Sequence, residues 1–121
     1  MFKILIAEDE PLMLKTLELK LQKEGYQVIA CNDGREALQK IESEQPQLVI
    51  TDIMIPYVSG LEIVRHVKAM NTSLPVIVLS AMGQEKTVEE AFELGADDYI
   101  TKPFNLNELA IRVKRLTRNI R

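Results

Sequence analysis

Leu48-Val49-Ile50-Thr51-Asp52-Ile53-Met54-Ile55-Pro56 is a short, β-branched apolar run that halts at a carboxylate and then meets a proline. The run is too short for a helix and lacks a helical period, so it reads as a buried strand. Four more runs of the same kind occur at Lys3–Ala7, Gln27–Cys31, Pro75–Leu79 and Asp98–Thr101, alongside Leu48–Thr51 itself. Residues 1–7 therefore read as a strand and not as a signal peptide, because the apolar run is short and acids follow it at once.

Between the strands the apolar period changes to that of a helix. Leu14, Leu17 and Leu21 share one face, as do Ala37, Leu38 and Ile41 in the second segment and Ile63, Val64 and Val67 in the third. Val88, Ala91 and Phe92 form the fourth stripe, and Leu106, Leu109, Val113 and Leu116 the fifth. Gly25 and Gly95 stand where left-handed C-terminal caps belong. Asn105 is placed as an N-cap, with Glu108 completing a capping-box-like pair. Strict alternation of five strands and five helices predicts an α/β fold: a doubly wound, five-stranded parallel sheet of flavodoxin-like order 2-1-3-4-5.

Bulk properties agree with one domain over residues 1–121. The chain has 121 residues, 46% hydrophobic and 27% charged, with net charge -3. That charge argues against a duplex-binding surface over the whole domain. A single cysteine, Cys31, excludes an internal disulfide and suits a reducing cytosol. The apolar runs fall far short of the roughly 20 residues needed to span a bilayer, so a cytoplasmic protein without membrane attachment is expected.

In open parallel sheets the ligand site lies beyond the carboxyl ends of the strands, at the switch point between the first and third. The first strand here runs into Glu8-Asp9-Glu10, the third ends at Asp52, the fourth at Ser80 and the fifth at Lys102-Pro103. Converging carboxylates repel unless a cation sits among them. Oxygen donors without His or Cys select a hard ion, Mg²⁺ or Mn²⁺. A carboxylate is a competent nucleophile toward an activated phosphoryl group. The oxygens of the transferring group then need neutralising, which a metal, Lys102 and the Ser80 hydroxyl can do.

Four separated motifs resemble the receiver domains of bacterial response regulators, in order and over essentially the whole chain. They are Ile6-Ala7-Glu8-Asp9-Glu10-Pro11, Thr51-Asp52-Ile53-Met54-Ile55-Pro56 with Gly60, Leu79-Ser80-Ala81, and Gly95-Ala96-Asp97-Asp98-Tyr99-Ile100-Thr101-Lys102-Pro103-Phe104. The resemblance implies that Asp52 accepts a phosphoryl group from a sensor histidine kinase. It implies that Glu8, Asp9, Asp52 and the Met54 carbonyl hold the metal. Ser80 becomes the switch hydroxyl, Tyr99 the switch aromatic, and Lys102 the lysine that meets the phosphoryl group, its bond to Pro103 being cis. Such a domain catalyses only its own phosphorylation and dephosphorylation. Glu8 stands where Asp is commoner, and its extra methylene leaves direct and water-mediated metal contact both open.

Residues 97–99 and 108–112 are most similar to the receivers of winged-helix transcription factors. That likeness implies a homodimer through the fourth helix, fifth strand and fifth helix, with Asp98 and Arg112 as one of its salt-bridge pairs. The basic position usual in the fourth helix is Val88. Met54 and Met82 flank the path of a hydrolytic water in such domains, and neither side chain can orient one, so slow loss of the phosphoryl group is expected.

Other features read more plainly. Glu10 belongs to a helix start, His66 to the surface, and Cys31 to the packing. The basic residues Arg112, Lys114, Arg115, Arg118 and Arg121 form the polar face of a core-packed helix rather than a nucleic-acid contact. The competing enzyme class is a metal-dependent phosphatase with an aspartate nucleophile. Its haloacid-dehalogenase type needs a second Asp two residues on, where this chain has Met54. A flavodoxin-like electron carrier would need a hydroxyl- and glycine-rich phosphate loop after the first strand, where this chain is acidic.

Overall fold

A computed structural model describes residues 2–118. Met1, the first residue of the expected opening strand segment, and Arg121, the last of the basic tail, lie outside the described residues. The elements alternate without exception: β1 (Lys3–Ala7), α1 (Pro11–Lys23), β2 (Gln27–Cys31), α2 (Gly34–Glu44), β3 (Leu48–Asp52), α3 (Gly60–Met70), β4 (Val76–Ser80), α4 (Glu85–Glu93), β5 (Asp98–Thr101) and α5 (Leu106–Thr117). The sheet has order β2-β1-β3-β4-β5 and every neighbouring pair is parallel, as expected.

Alternation along each strand divides the core in two. Ile4, Ile6, Leu48, Ile50, Ile77 and Leu79 pack with Leu17 and Leu21 of α1 and Leu109 and Val113 of α5. Leu5, Ala7, Val49, Val76 and Val78 face the other way, toward α2, α3 and α4. The central strands β3 and β4 are buried along their full length. That is why their sequences are continuous apolar runs rather than alternating ones. β4 starts one residue later than Pro75, because proline has no N–H to give the ladder. Its carbonyl still accepts from Val49 N at 3.0 Å.

Gly25 (φ 98°) and Gly95 (φ 113°) take the left-handed conformations expected of them. Two readings are corrected. Phe92 leaves the buried stripe of α4 and is 42% exposed. The helix is short, and Val88 and Ala91 alone face the sheet. Asn105 caps α5 through the Asn107 amide, but Glu108 reaches forward to Arg112 at 3.4 Å instead of back to the cap. A cation one turn on outbids a backbone amide for that carboxylate.

Candidate functional site at the carboxyl edge of the sheet

The Glu8 amide extends the β1–β2 ladder one step past the strand by donating to Cys31 O at 3.0 Å. This turns the Glu8 side chain into the molecule, where it is 1% exposed. Asp9 points outward at the rim. Glu10 is used up locally: its carboxylate accepts from Leu12 N at 3.3 Å and Met13 N at 2.7 Å, capping α1.

Asp52 is the last residue of β3, one strand away from Glu8. Its Oδ1 accepts from the Met54 amide at 3.1 Å, which fixes the rotation of the carboxylate. Its Oδ2 accepts from Lys102 Nζ at 2.5 Å. The same ammonium donates to Glu8 Oε1 at 2.7 Å. Lys102 is brought here by its own backbone, whose amide donates to Ser80 O at 2.7 Å, and its peptide bond to Pro103 is cis. Ser80 ends β4, buried beside this group. Gly60 is required below it. A Cβ there would stand 2.3 Å from the Asp52 carbonyl oxygen, and backbone cannot give way.

Burial raises the pKa of Glu8 above the ordinary value of 4.5, partly offset by the Lys102 hydrogen bond. Desolvation pulls the other way on Lys102, but its two carboxylate partners prevail and the pKa rises. The ammonium therefore sits charged among the acids. Burial pushes the Cys31 thiol up to about 12, as befits a packing residue.

Glu8, Asp9 and Asp52 each offer an oxygen, and these lie within 4.8 Å of one another. The donor set is all oxygen and fits a small hard divalent cation. Met54 lies in the next loop and is 65% exposed, and Met82, past β4, is 78% exposed.

The remaining expected residues sit on the neighbouring face. Tyr99 is 40% exposed and packs edge-on against Phe92, with ring centroids 5.7 Å apart at 88°. Arg112 Nη1 donates to Asp98 Oδ1 at 2.7 Å and to the Tyr99 carbonyl at 2.8 Å, and Arg115 joins Asp98 at 3.0 Å. So Asp98 and Arg112 satisfy each other within one chain. Val88 packs into the core and presents nothing to a partner. His66 is on the surface, 3.0 Å from Glu42. Sequence reasoning did not find the Glu8–Lys102 contact, the Phe92–Tyr99 stack, or the Gln84 side chain that accepts from Ala81 N at 2.6 Å. The first two have no local sequence signal, whereas the third spans only three residues.

An acidic edge thus lies at the switch point of a 2-1-3-4-5 sheet, with a lysine laid across it. Comparison with known proteins gives the family. Residues 4–114 match the model of the response regulator receiver domain, and the chain belongs to that family of two-component signalling domains. It is 40% identical over 116 residues to the alkaline phosphatase synthesis transcriptional regulatory protein PhoP of Bacillus subtilis (strain 168), covering 96% of this chain and 48% of that protein. It is 42% identical over 115 residues to response regulator RR06 of Streptococcus pneumoniae, covering 95% of this chain and 52% of that protein. The chain thus spans about half the length of these relatives. Among solved structures, the receiver domain of the Francisella response regulator 1452 superposes with a TM-score of 0.92 at 32% identity, covering both chains in full. Among the described residues no helix is long and apolar enough to cross a membrane.

Proposed function

We propose that residues 1–121 form a phosphorylation switch in which Asp52 takes a phosphoryl group from the phosphohistidine of a sensor histidine kinase. The observation that carries this is the shared ammonium: Lys102 Nζ bridges Asp52 and Glu8, with Asp9 beside them at the open rim. An Asp52 carboxylate oxygen attacks phosphorus, the P–N bond breaks, and its electron pair stays on the imidazole nitrogen, which takes up a proton. The product is an aspartyl phosphate. Lys102 and the Ser80 hydroxyl then meet the phosphoryl oxygens. Asp9, Asp52 and the Met54 carbonyl, with Glu8 directly or through water, would hold Mg²⁺ or Mn²⁺. The ion supplies charge neutralisation for those oxygens.

The chain acts on no other substrate in this reading and works in the cytoplasm. The face formed by α4, β5 and α5 carries the signal to an output domain or partner, with transcription as the output favoured by the named relatives. Contact with nucleic acid is not a task of this domain. Arg112 and Arg115 are engaged with Asp98, so part of the basic surface of α5 is already spent. Intact-mass spectrometry after treatment with acetyl phosphate tests the acceptor. The wild type should gain one phosphoryl group with Mg²⁺ and none with chelator, and Asp52→Ala should gain none. Undiminished phosphorylation of the variant would sink the assignment.

A further inference from the structure

Tyr57 and Gln45 are the two non-glycine residues with positive φ among those described. Gln45 (φ 49°) is the C-cap of α2, a place where left-handed backbone is ordinary. Tyr57 (φ 72°) ends no helix. It lies in the loop between β3 and α3, and a bulky residue resists that conformation. Burial of its ring does not hold it there, because Tyr57 is 74% exposed.

The Val58 amide closes the turn across Tyr57 by donating to Pro56 O at 2.9 Å, and the first turn of α2 braces it from outside. The Arg35 guanidinium carbon lies 4.4 Å from the centre of the Tyr57 ring, a cation–π contact. The Gly34 amide donates to Pro56 O at 3.1 Å. The fit around it is close, since a Cβ on Gly34 would stand 1.9 Å from the Val58 carbonyl oxygen. At the other end of the loop Gly60 N donates to Ile53 O at 2.8 Å. Between these two anchors lies Met54, whose amide orients the Asp52 carboxylate from 3.1 Å. With Oδ1 held by Met54, Oδ2 is the oxygen turned to Lys102.

We propose that Arg35 is a positioning residue for phosphoryl transfer: by gripping the Tyr57 ring it holds the loop in its left-handed turn and so keeps the Met54 amide aimed at Asp52. This rests on Asp52 being the acceptor. A glycine at position 57 would adopt the same turn without a grip, so a double-substitution cycle isolates the contact. The cycle uses R35A, Y57A, Y57G and R35A/Y57G. Two readouts are taken: hydrogen exchange of the Met54 amide without metal or phosphodonor, and the initial rate of Asp52 phosphorylation by acetyl phosphate with Mg²⁺.

R35A and Y57A should each speed Met54 exchange and slow phosphorylation by about two- to fivefold, the range of an exposed cation–π contact. In the Y57G background, adding R35A should change neither. Unchanged Met54 exchange in R35A, or an equal effect of R35A in both backgrounds, would overturn the inference. A general loss of stability would instead speed exchange across the sheet and not at Met54 selectively. If the wild type takes no phosphoryl group while the exchange pattern holds, the assignment of Asp52 fails and the bracing role of Arg35 stands.

Discussion

Glu8 keeps a carboxylate where water does not reach, and Lys102 is what makes that tolerable. Because burial raises its pKa in the folded chain, the folded state holds the Glu8 proton more tightly than the unfolded state does. Its contribution to stability is complete below the ordinary 4.5 and is lost as pH rises through the raised value. Urea midpoints of the metal-free wild type, relative to Glu8→Gln, should therefore fall as pH climbs from about 4.5 upward. Parallel profiles for the two proteins would show that Glu8 does not titrate in this way. Met54 and Met82 matter for a different reason. Both are exposed beside the site, and a thioether cannot orient a water for in-line attack on an acyl phosphate. The wild type should lose its phosphoryl group slowly. A Met54→Asn, Met82→Glu double variant should lose it faster, by up to the order of 100-fold that one well-positioned proton-transfer group supplies. Phosphate release measured after removal of the donor decides, and equal lifetimes would remove these side chains from the account.

The segment after β4 is the element best built to move. Gln84 ties its start by accepting from Ala81 N, yet α4 has no side-chain cap of its own. Its C-terminal Phe92 leans on Tyr99 rather than on the core. Beside it is a cavity of about 540 Å³ whose lining includes Ser80, Met82, Val88 and Tyr99. A phosphoryl oxygen on Asp52 should draw the Ser80 hydroxyl toward it through a charge-assisted hydrogen bond. The room vacated should let Tyr99 rotate from its half-exposed position into the cavity, breaking its stack with Phe92. Ser80→Ala should still accept the phosphoryl group but shift little of the α4–β5–α5 face. Amide chemical shifts of Tyr99 and of α4, with and without a phosphoryl mimic, report this. Identical shifts in the wild type would end the mechanism.

In the single chain, Asp98, Arg112 and Arg115 form a closed group on the face of β5 and α5. A two-fold dimer through this face would exchange the Asp98–Arg112 pair between copies, an isologous arrangement. Val88 would add no charge to it. The phosphorylated wild type should self-associate more strongly than the unphosphorylated chain, and Arg112→Ala should weaken that association roughly tenfold. Sedimentation velocity measures both, and phosphorylation without a change in mass would refute the dimer. The sheet order, the two-sided core and the gathering of Glu8, Asp9, Asp52, Ser80 and Lys102 on one edge were legible in the chain alone. They follow from short-range patterns: β-branched runs, helical stripes, and acids that stop a strand. Handed crossovers leave those patterns few ways to assemble. The tertiary structure decided what depends on pairs distant in sequence. Lys102 and Glu8 are 94 positions apart, and no local period records their meeting. Phe92 could look like core because periodicity marks an apolar position without saying how far the helix extends over the sheet. The left-handed turn at Tyr57 was hidden in part for the same reason, since the local bond from Val58 N to Pro56 O is joined by bracing from another helix, through Gly34 N and the Arg35 side chain.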